Sequence, residues 1–341
     1  MISFTCDYSE GAHPAILQRL VNTNLVQQPG YGADDYTHSA IERIRQATDC
    51  PEATVFLLVG GTQTNATVID AMLTACDGVV ACDSGHIAVH EAGAVEHSGH
   101  KVITLPTDDG KLPAATLADY LRAFRADDSR DHMVQPAMVY VSMSTELGTI
   151  YSRAELEALH AVCREYGLSL FVDGARLGYA LACPECDLTL PQLARLCDVF
   201  YIGGTKVGAL CGEAVVFPRG NAPRQFFSVI KQHGALMAKG RLLGVQFDTL
   251  MADGLYLRIA AHAIEQARRL RQTMEQKGIA FFNDSPTNQQ FPLLTAEQME
   301  RLDGKVRFEV WQPMPDGRFL TRFATSWATP PEHIDRLASL L

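Results

Sequence analysis

An aspartate and a lysine stand at the ends of two apolar runs near the middle of the chain. Residues 168–172 are followed directly by Asp173, and residues 199–202 by Gly203-Gly204-Thr205-Lys206. The acid and the lysine are about one strand-plus-crossover unit apart, so both are expected outside the carboxyl ends of neighbouring parallel strands. An acid and a lysine that converge there suit pyridoxal phosphate (PLP), which uses a lysine Schiff base and an acidic partner for its pyridinium nitrogen. The alternative is a solvated lysine on a glycine turn and an aspartate that only ends a strand.

A glycine-rich turn lies between a predicted strand at residues 55–59 and a predicted helix at residues 66–74. Gly60-Gly61-Thr62-Gln63 begins this turn. A strand, then glycines and hydroxyls, then a helix presents backbone N–H groups and a positive helix end to a phosphate. The turn matches neither G-x-G-x-x-G nor the Walker pattern, so an ordinary turn is the alternative.

Four histidines cluster after this helix, at positions 86, 90, 97 and 100. Clustered histidines are candidates for a metal site, but H-E-x-x-H is absent because His90-Glu91 is followed by Ala-Gly-Ala. One ring could instead stack on the flat face of a pyridine cofactor. We therefore predict no metal, and we expect the other histidines on the surface or on a helix face.

Two arginines are candidates for binding an anion. Arg322 lies within an apolar strand pattern, LTRFATSW, and a buried guanidinium requires a negative partner. That partner is either an internal carboxylate or the α-carboxylate of an amino acid, held by two parallel hydrogen bonds. Arg176, three residues after Asp173, is either a structural ion-pair partner or a ligand of the cofactor or the substrate.

The segments FVDGAR, at residues 171–176, and YIGGTKVGALCGE, at residues 201–213, resemble those of the threonine aldolases. These enzymes belong to the β-eliminating lyase group of fold-type-I PLP enzymes, and the resemblance extends to TRFATSWAT near the end of the chain. It implies an aspartate-aminotransferase-like α/β fold, with a large parallel-rich sheet domain and a smaller C-terminal α/β domain. It also implies cleavage of L-threonine, L-allo-threonine or other β-hydroxy-α-amino acids to glycine and an aldehyde.

The resemblance assigns roles to individual residues. The expected PLP contacts are Gly61, Thr62, Gln63, His86, Thr145, Asp173, Arg176, Thr205 and Lys206. The expected substrate contacts are Ser9, Tyr31, Arg176 and Arg322. Lys206 and Asp173 act in catalysis, and His86 or His132 assists at the substrate hydroxyl, although His132 lies one place further from Thr145 than the family's histidine does. Lys231 is expected near the cofactor of a neighbouring subunit.

Hydrophobic periodicity predicts the elements that position these residues. Helices are predicted at residues 37–46, 66–74, 114–124 and 153–166, and strands at 55–59, 102–105, 138–142, 168–172, 199–202 and 214–217. Ser152 and Glu155 form a capping box for the fourth helix, which ends at Gly167. A long helix at residues 255–277 then precedes short strands at 279–282, 291–294, 306–311 and 319–324 and a closing helix. We expect a PLP-binding domain at residues 1–250 and a small domain at residues 251–341.

Composition excludes several classes of partner. The net charge of the 341 residues is −10 and no basic cluster occurs, which argues against nucleic acid and against an anionic membrane. No apolar run approaches the roughly 20 residues that span a bilayer, and the acidic N-terminus does not resemble a secretory signal. The nine scattered cysteines fit a reducing compartment, and we interpret the C-x-x-C at 183–186 as a loop. We expect a cytoplasmic protein, and the resemblance adds a homodimer or homotetramer.

Two other functions use the same residues. β-Elimination or transamination of another amino acid would also require Lys206 and Asp173. A protein that only binds PLP would carry them too, but the paired arginines and the separate small domain favour catalysis. The product, whether aldehyde, keto acid or ammonia, distinguishes the enzymes.

Overall fold

The computed structural model describes every residue from Met1 to Leu341. The strands are β1 (Ile2–Ser3), β2 (Thr54–Leu58), β3 (Asp77–Cys82), β4 (Lys101–Leu105), β5 (Gln135–Ser142), β6 (Ser169–Asp173), β7 (Val199–Gly203), β8 (Glu213–Phe217), β9 (Gln289–Gln290), β10 (Leu293–Leu294), β11 (Val306–Arg307), β12 (Glu309–Pro313) and β13 (Phe319–Ala324). The α-helices are α1 (Pro14–Thr23), α2 (Asp35–Thr48), α3 (Gly61–Met72), α4 (His86–Val89), α5 (Ala94–His97), α6 (Ala114–Ala126), α7 (Arg153–Tyr166), α8 (Leu177–Ala182), α9 (Leu190–Arg195), α10 (Phe226–Gln232), α11 (Arg241–Leu250), α12 (Leu255–Gln276), α13 (Ala296–Leu302) and α14 (Pro331–Leu340). Short 3-10 helices span Arg130–His132 and Ala252–Gly254.

Seven strands form the large sheet, in the order β2-β8-β7-β6-β5-β3-β4. Pairing is parallel from β7 to β4, whereas β8 is antiparallel to both of its neighbours. β7 and β8 are buried along their whole length, because helices cover both faces of such a sheet. This double burial explains why these strands are short continuous apolar runs in the sequence.

Two apolar cores lie on opposite faces of the large sheet. In β6, Leu170 and Val172 belong to one core and Phe171 to the other, as expected from alternation along a strand. The first core includes Leu156 and Leu159 of α7, and the second includes residues of α3 and α10. The polar groups at the carboxyl ends of the strands therefore stand on a framework that is packed from both sides.

The helix that leads into β6 has the ends that the sequence predicts. The Ser152 hydroxyl accepts the N–H of Glu155, and the Glu155 carboxylate accepts the N–H of Ser152. At the other end, Gly167 has φ 78°, a left-handed conformation that glycine adopts without strain. These two caps define the length of α7 and hence where β6 begins.

The C-terminal part has its own sheet and apolar core. β13 pairs with β10, β12 and β9, all antiparallel. β1 pairs in parallel with β11, and Phe4 packs in the C-terminal core, so the first residues of the chain pack with the C-terminal unit. The N-terminal half of α12 packs on the large sheet, and its C-terminal half, with Leu270 and Met274, packs in the C-terminal core.

Three local features differ from the sequence-based expectations. β3 has no counterpart among the predicted strands, and the strand predicted at 279–282 is only an isolated bridge between Phe281 and Pro292. The helix after the glycine turn begins at Gly61 rather than at residue 66, so the candidate phosphate ligands form its first turn. Among all the helices, none combines the length and the apolar character needed to span a membrane.

Candidate active site

Asp173, the last residue of β6, is surrounded by hydrogen-bond donors. Tyr140 donates its hydroxyl proton to Oδ2, and Tyr201 donates its own to Oδ1. Asn65 Nδ2 donates to Oδ2 at 3.0 Å, and the backbone N–H of Ala175 donates to Oδ1 at 2.9 Å. Since only 4% of Asp173 is exposed, these four donors replace the water that a carboxylate would otherwise need.

A buried chain of polar side chains connects Asp173 with His86. Asn65 Nδ2 also donates to Glu91 Oε1 at 2.7 Å, and His86 Nδ1 lies 2.7 Å from the same oxygen. Burial alone would raise the pKa of Asp173, but the charge of His86 and the hydrogen bonds outweigh it and hold that pKa below its ordinary value. Burial alone would lower the pKa of His86, but Glu91 and Asp173 raise it. The network therefore favours an ionised Asp173 and a protonated His86.

Lys206 follows β7 after a tight turn. Its Nζ lies 5.9 Å from the centroid of the Tyr8 ring. Burial and then the positive charge of Arg176 lower the pKa of Lys206, against the attraction of nearby carboxylates. A lowered pKa increases the neutral fraction of the amine, and the neutral amine is the form that attacks a carbonyl carbon.

Glu213 lies beside this turn, because β8 begins opposite the end of β7. Its Oε2 accepts the N–H of Gly204 at 3.0 Å. Burial raises the pKa of Glu213 to about 8, although Thr205 and Lys206 act in the opposite direction. The raised pKa favours the protonated form of this carboxyl beside Lys206.

The side chain of Lys206 lines a cavity of about 310 Å³. Its lining residues are Tyr8, His86, His90, Glu146, Arg176, Lys206, Gln289, Glu309, Trp311 and Arg322. Most of them are polar, and they carry charges of both signs. Such a lining suits a small zwitterion, because each charge of the ligand then finds an opposite charge in the wall.

Arg176 forms a buried bidentate ion pair with Asp7. Nε lies 2.8 Å from Oδ2 and Nη2 lies 3.1 Å from Oδ1, and the two side chains are 8% and 0% exposed. Asn288 Nδ2 also donates to Asp7 Oδ2 at 2.9 Å. Of the two roles that the sequence left open for Arg176, the structure contains the ion pair. Because Arg176 also lines the cavity, its contact with cofactor or substrate stays a prediction.

Arg322 lies in β13 and has an internal carboxylate partner. Its Nη2 is 2.8 Å from Glu309 Oε2, and its Nη1 donates to Gln289 Oε1 at 3.0 Å. The guanidinium carbon is 5.7 Å from the centroid of the Trp311 ring, and Nε is buried without a hydrogen-bond partner. Since Glu309 is 35% exposed at its side chain, this ion pair is weaker than a buried one. Arg322 is thus placed to exchange Glu309 for the carboxylate of a ligand.

The first turn of α3 adjoins the Asp173 network. A methyl group on Gly61 would come within 3.4 Å of the Tyr201 hydroxyl. Thr62 and Gln63 follow in the same turn, where backbone N–H groups have no helical partner and the helix dipole is positive. The hydroxyl of Thr64 is buried without a hydrogen-bond partner. Free donors and an unpaired hydroxyl are the groups that a phosphate requires.

Three predicted residues do not reach the Lys206 cavity within this chain. Ser9 is exposed and its Oγ lies 3.2 Å from Cys6 Sγ, whereas the preceding residue, Tyr8, lines the cavity. Tyr31 lines a different, mostly apolar cavity of about 210 Å³. Lys231 lies beside Tyr31, with Nζ 4.7 Å from the centroid of that ring. The contacts of Ser9 and Tyr31 with the substrate stay predictions.

His132 lies away from the cavity of its own chain. It is exposed and lies in the 3-10 helix before β5. Ser142, at the other end of this eight-residue strand, is the residue that pairs with Asp173. At about 3.3 Å per residue the strand separates His132 from the site by roughly 25 Å. A role for His132 at the substrate hydroxyl stays a prediction.

Thr145 and Thr205 lie close to the site but do not line its cavity. Thr145 Oγ1 is 2.7 Å from Thr149 Oγ1, inside the loop that follows β5. The N–H of Gly212 donates to Thr205 Oγ1 at 3.0 Å and closes the turn that carries Lys206. Both threonines stabilise loops of the site, and their contacts with a cofactor stay predictions.

Several residues of the site have no clear signal in the sequence. Asp7, Asn65 and Tyr140 become relevant only through partners that are distant along the chain. Glu146 and Glu213 have a weaker signal than Asp173. Glu146 is an acid in the loop after β5, and Glu213 is the first residue of β8, which runs antiparallel to β7.

The fold and the site together define a class. A mostly parallel sheet with a carboxylate and a lysine at one edge, joined to a C-terminal α/β unit, is the fold-type-I architecture of the aspartate aminotransferases. An aspartate aminotransferase variant from Thermus thermophilus superposes with a TM-score of 0.72, covering 100% of this chain and 90% of that one. At 14% identity this similarity concerns the fold alone.

Closer relatives define the family. The threonine aldolase of Leishmania major superposes with a TM-score of 0.96 at 42% identity, covering 99% of this chain and 98% of that one. A low-specificity L-threonine aldolase of Pseudomonas aeruginosa is 31% identical over 347 residues, which cover 98% of this chain and 95% of that protein. The profile of the β-eliminating lyase family matches residues 6–297. The chain belongs to the β-eliminating lyase family, and the resemblance noted in the sequence is confirmed.

Proposed function

We propose that this chain is a PLP-dependent lyase that cleaves L-threonine or L-allo-threonine to glycine and acetaldehyde. The observation that carries the proposal is the polar cavity into which Lys206, His86 and Arg322 project together. The relatives that share nearly the whole chain length are named threonine aldolases. Both lines of support point to the same small zwitterionic substrate.

The residues of the site fit PLP. Lys206 is the amine that would bind the cofactor's aldehyde carbon, and its lowered pKa supports that attack. Asp173 is the ionised carboxylate that would pair with a protonated ring nitrogen. The first turn of α3 would hold the phosphate, and His86 would lie against the ring. When bound, PLP supplies an electron sink for the bond that breaks at Cα.

The remaining residues bind and orient the amino acid. Arg322 would hold the α-carboxylate by charge-assisted hydrogen bonds once Glu309 is displaced. A carboxylate held at this position limits the rotation of the substrate about its Cα, and so selects which bond is aligned for cleavage. Glu146 and His90 line the same cavity and are the groups available to the β-hydroxyl.

A product assay tests the proposed function. Purified protein loaded with PLP is incubated with L-threonine or L-allo-threonine, without a keto acid, and glycine and acetaldehyde are measured. Equal amounts of the two products are expected, and Lys206→Ala should abolish them. Ammonia with a 2-keto acid would instead identify an eliminating lyase, and a requirement for a keto-acid acceptor would identify an aminotransferase.

We also propose that the chain acts as a homodimer or homotetramer in the cytoplasm. The apolar cavity near Tyr31 is flanked by the half-exposed ring of Phe227, which supports burial against another copy. Sedimentation of the purified protein should give a mass of two or four chains. A monomer at micromolar concentration would contradict this part of the proposal.

A further inference from the structure

Glu146 is a carboxyl group of the cavity wall that has no assigned role. It lies in the loop after β5, and its Oε1 accepts the hydroxyl proton of Ser142 at 2.8 Å. Its second oxygen, Oε2, is buried and has no hydrogen-bond partner. No arginine or lysine forms an ion pair with it, in contrast to Glu309 across the cavity. An unpaired carboxyl oxygen in a wall is costly for the fold alone, which indicates a functional reason.

The electrostatic surroundings of Glu146 favour proton exchange. Burial and then the negative charge of Asp173 raise the pKa of Glu146, against the hydrogen bond from Ser142 and the charge of His86. The other titratable groups that interact with it are Arg176, Cys82, Tyr140 and Tyr151. A carboxyl whose pKa moves from its ordinary value towards neutrality both accepts and returns a proton more readily at physiological pH.

The two histidines of the cavity are less suited to accept a proton. His86 Nδ1 is held by Glu91, and the network around it favours the protonated ring. The larger the doubly protonated fraction of a ring, the smaller the fraction that can act as a base. His90 is exposed, so water solvates it and competes for its ring nitrogens. Glu146 lines the cavity, its Oε2 has no hydrogen-bond partner, and its pKa is raised.

We propose that Glu146 is the catalytic base for the β-hydroxyl group, an inference that rests on the proposed function. Oε2 accepts the hydroxyl proton, so that the O–H bond breaks and a bond between Oε2 and hydrogen forms. The oxygen electrons form the C=O bond of acetaldehyde as the Cα–Cβ bond breaks. The electron pair of that bond stays on the Cα side, which takes up one proton to become the CH2 of glycine. Ser142 is a positioning residue, because its hydrogen bond orients the carboxyl.

The test compares two reactions of the PLP-loaded protein. Cleavage of L-threonine needs a base for the hydroxyl, whereas exchange of a glycine Cα proton in heavy water does not. In Glu146→Gln the kcat for cleavage should fall by about 10² to 10⁴, the usual contribution of general acid–base catalysis. Glycine exchange should stay within about threefold, because this chemistry uses no β-hydroxyl proton. Glu146→Asp should restore part of the cleavage rate. Glu96→Gln, at an exposed glutamate outside the cavity, is the matched control that should retain it.

A second readout uses the protein without cofactor. Because the folded-state pKa of Glu146 is raised, the wild type binds its proton more tightly when folded, and the stability this provides is lost as pH rises from about 4.3 through the folded value. Glu146→Gln should lack this part of the pH dependence of unfolding. Equal cleavage rates in wild type and Glu146→Gln would overturn the inference. If Glu146→Gln loses glycine exchange by the same factor as cleavage, the inference is also overturned, because Glu146 is then a structural residue. A wild type that forms no acetaldehyde from either epimer would instead overturn the proposed function, and the inference with it.

Discussion

Because Arg176 forms a buried ion pair with Asp7, a substitution in this pair changes the stability of the protein. Both side chains are almost fully buried, and they share two hydrogen bonds of 2.8 and 3.1 Å. Asp7→Ala removes the counter-charge and leaves the guanidinium without a partner in the protein interior. Breaking a buried pair in this way costs about 3–5 kcal/mol. By contrast, Glu309→Ala breaks the partly exposed pair with Arg322 and should cost about 0–1 kcal/mol.

The pH dependence of the same ion pair has a definite sign. Burial alone would raise the pKa of Asp7, but the charges of Arg176 and Lys206 and two hydrogen-bonding partners outweigh it and lower that pKa. A lowered folded-state pKa contributes stability that is present above the unfolded value, about 3.9, and lost as pH falls through the folded one. The difference in stability between wild type and Asp7→Ala should therefore shrink under acid conditions and be largest near neutrality.

Urea denaturation of the cofactor-free protein at pH 7 and at about pH 3, below the unfolded pKa of an aspartate, measures these effects. The double variant Asp7→Ala/Arg176→Ala should lose less stability than the sum of the single variants, by about 0.5–3 kcal/mol. A loss below about 1 kcal/mol in Asp7→Ala, with additive effects in the double variant, would refute a buried structural pair. Arg176 would then be free for a ligand, as the alternative interpretation of the sequence holds.

The other predictions concern the cofactor and the substrate. Borohydride should fix PLP to the peptide that contains Lys206, and a stable adduct on any other lysine would contradict its assignment. Asp173→Asn should retain PLP but lose activity by roughly a thousandfold. This magnitude follows because two unit charges about 4 Å apart interact by about 4 kcal/mol at an effective dielectric constant of 20. Near wild-type turnover would show that Asp173 only completes the hydrogen-bond network. Arg322→Ala should raise the KM for the amino acid by about tenfold to a few hundredfold. Glu309→Gln should lower the same KM, because it removes the competing carboxylate, and an unchanged or higher KM would argue against that competition.

The sequence predicts the central strands of the fold because they are buried on both faces. β6, β7 and β8 are five-residue strands in an apolar environment, and such runs bounded by turn residues are a strong signal. β3 is absent from the predicted strands although its apolar run, residues 79–82, is as long as those at 199–202 and 214–217. The strand predicted at 279–282 is apolar, but it finds only one bridge partner, at Pro292. Which segments pair as strands depends on the tertiary structure, and hydrophobic periodicity alone does not predict it.

Some residues of the site can be predicted from the sequence and others cannot, as is the case for the strands. Asp173 and Lys206 follow from a rule of topology, since parallel strands place their carboxyl ends at one edge. The partners of these residues do not, because Asp7 is 169 positions from Arg176 and Asn65 is 108 positions from Asp173. A short side chain such as Asp7 acquires its role only when a distant guanidinium is folded against it. His132 shows the converse case, because it is near Thr145 in the sequence but lies at the opposite end of β5 from Asp173 within the chain.

Asn65 is a neutral hydrogen-bond donor between two carboxylates of the buried network, Glu91 and Asp173. In the sequence it ends the polar turn that precedes the helix predicted at residues 66–74, and in the structure it is fully buried. Its amide donates one proton to Glu91 and one to Asp173 without adding a positive charge. A lysine at this position would neutralise one carboxylate, and a leucine would remove one hydrogen-bond donor from each. His86 faces Glu91, and the raised pKa of Glu213 favours its protonated form, whereas the pKa of Asp173 is lowered. Asp173 is therefore the carboxylate of the network whose ionised form is favoured, and it suits a cationic group of a ligand such as a protonated pyridine nitrogen.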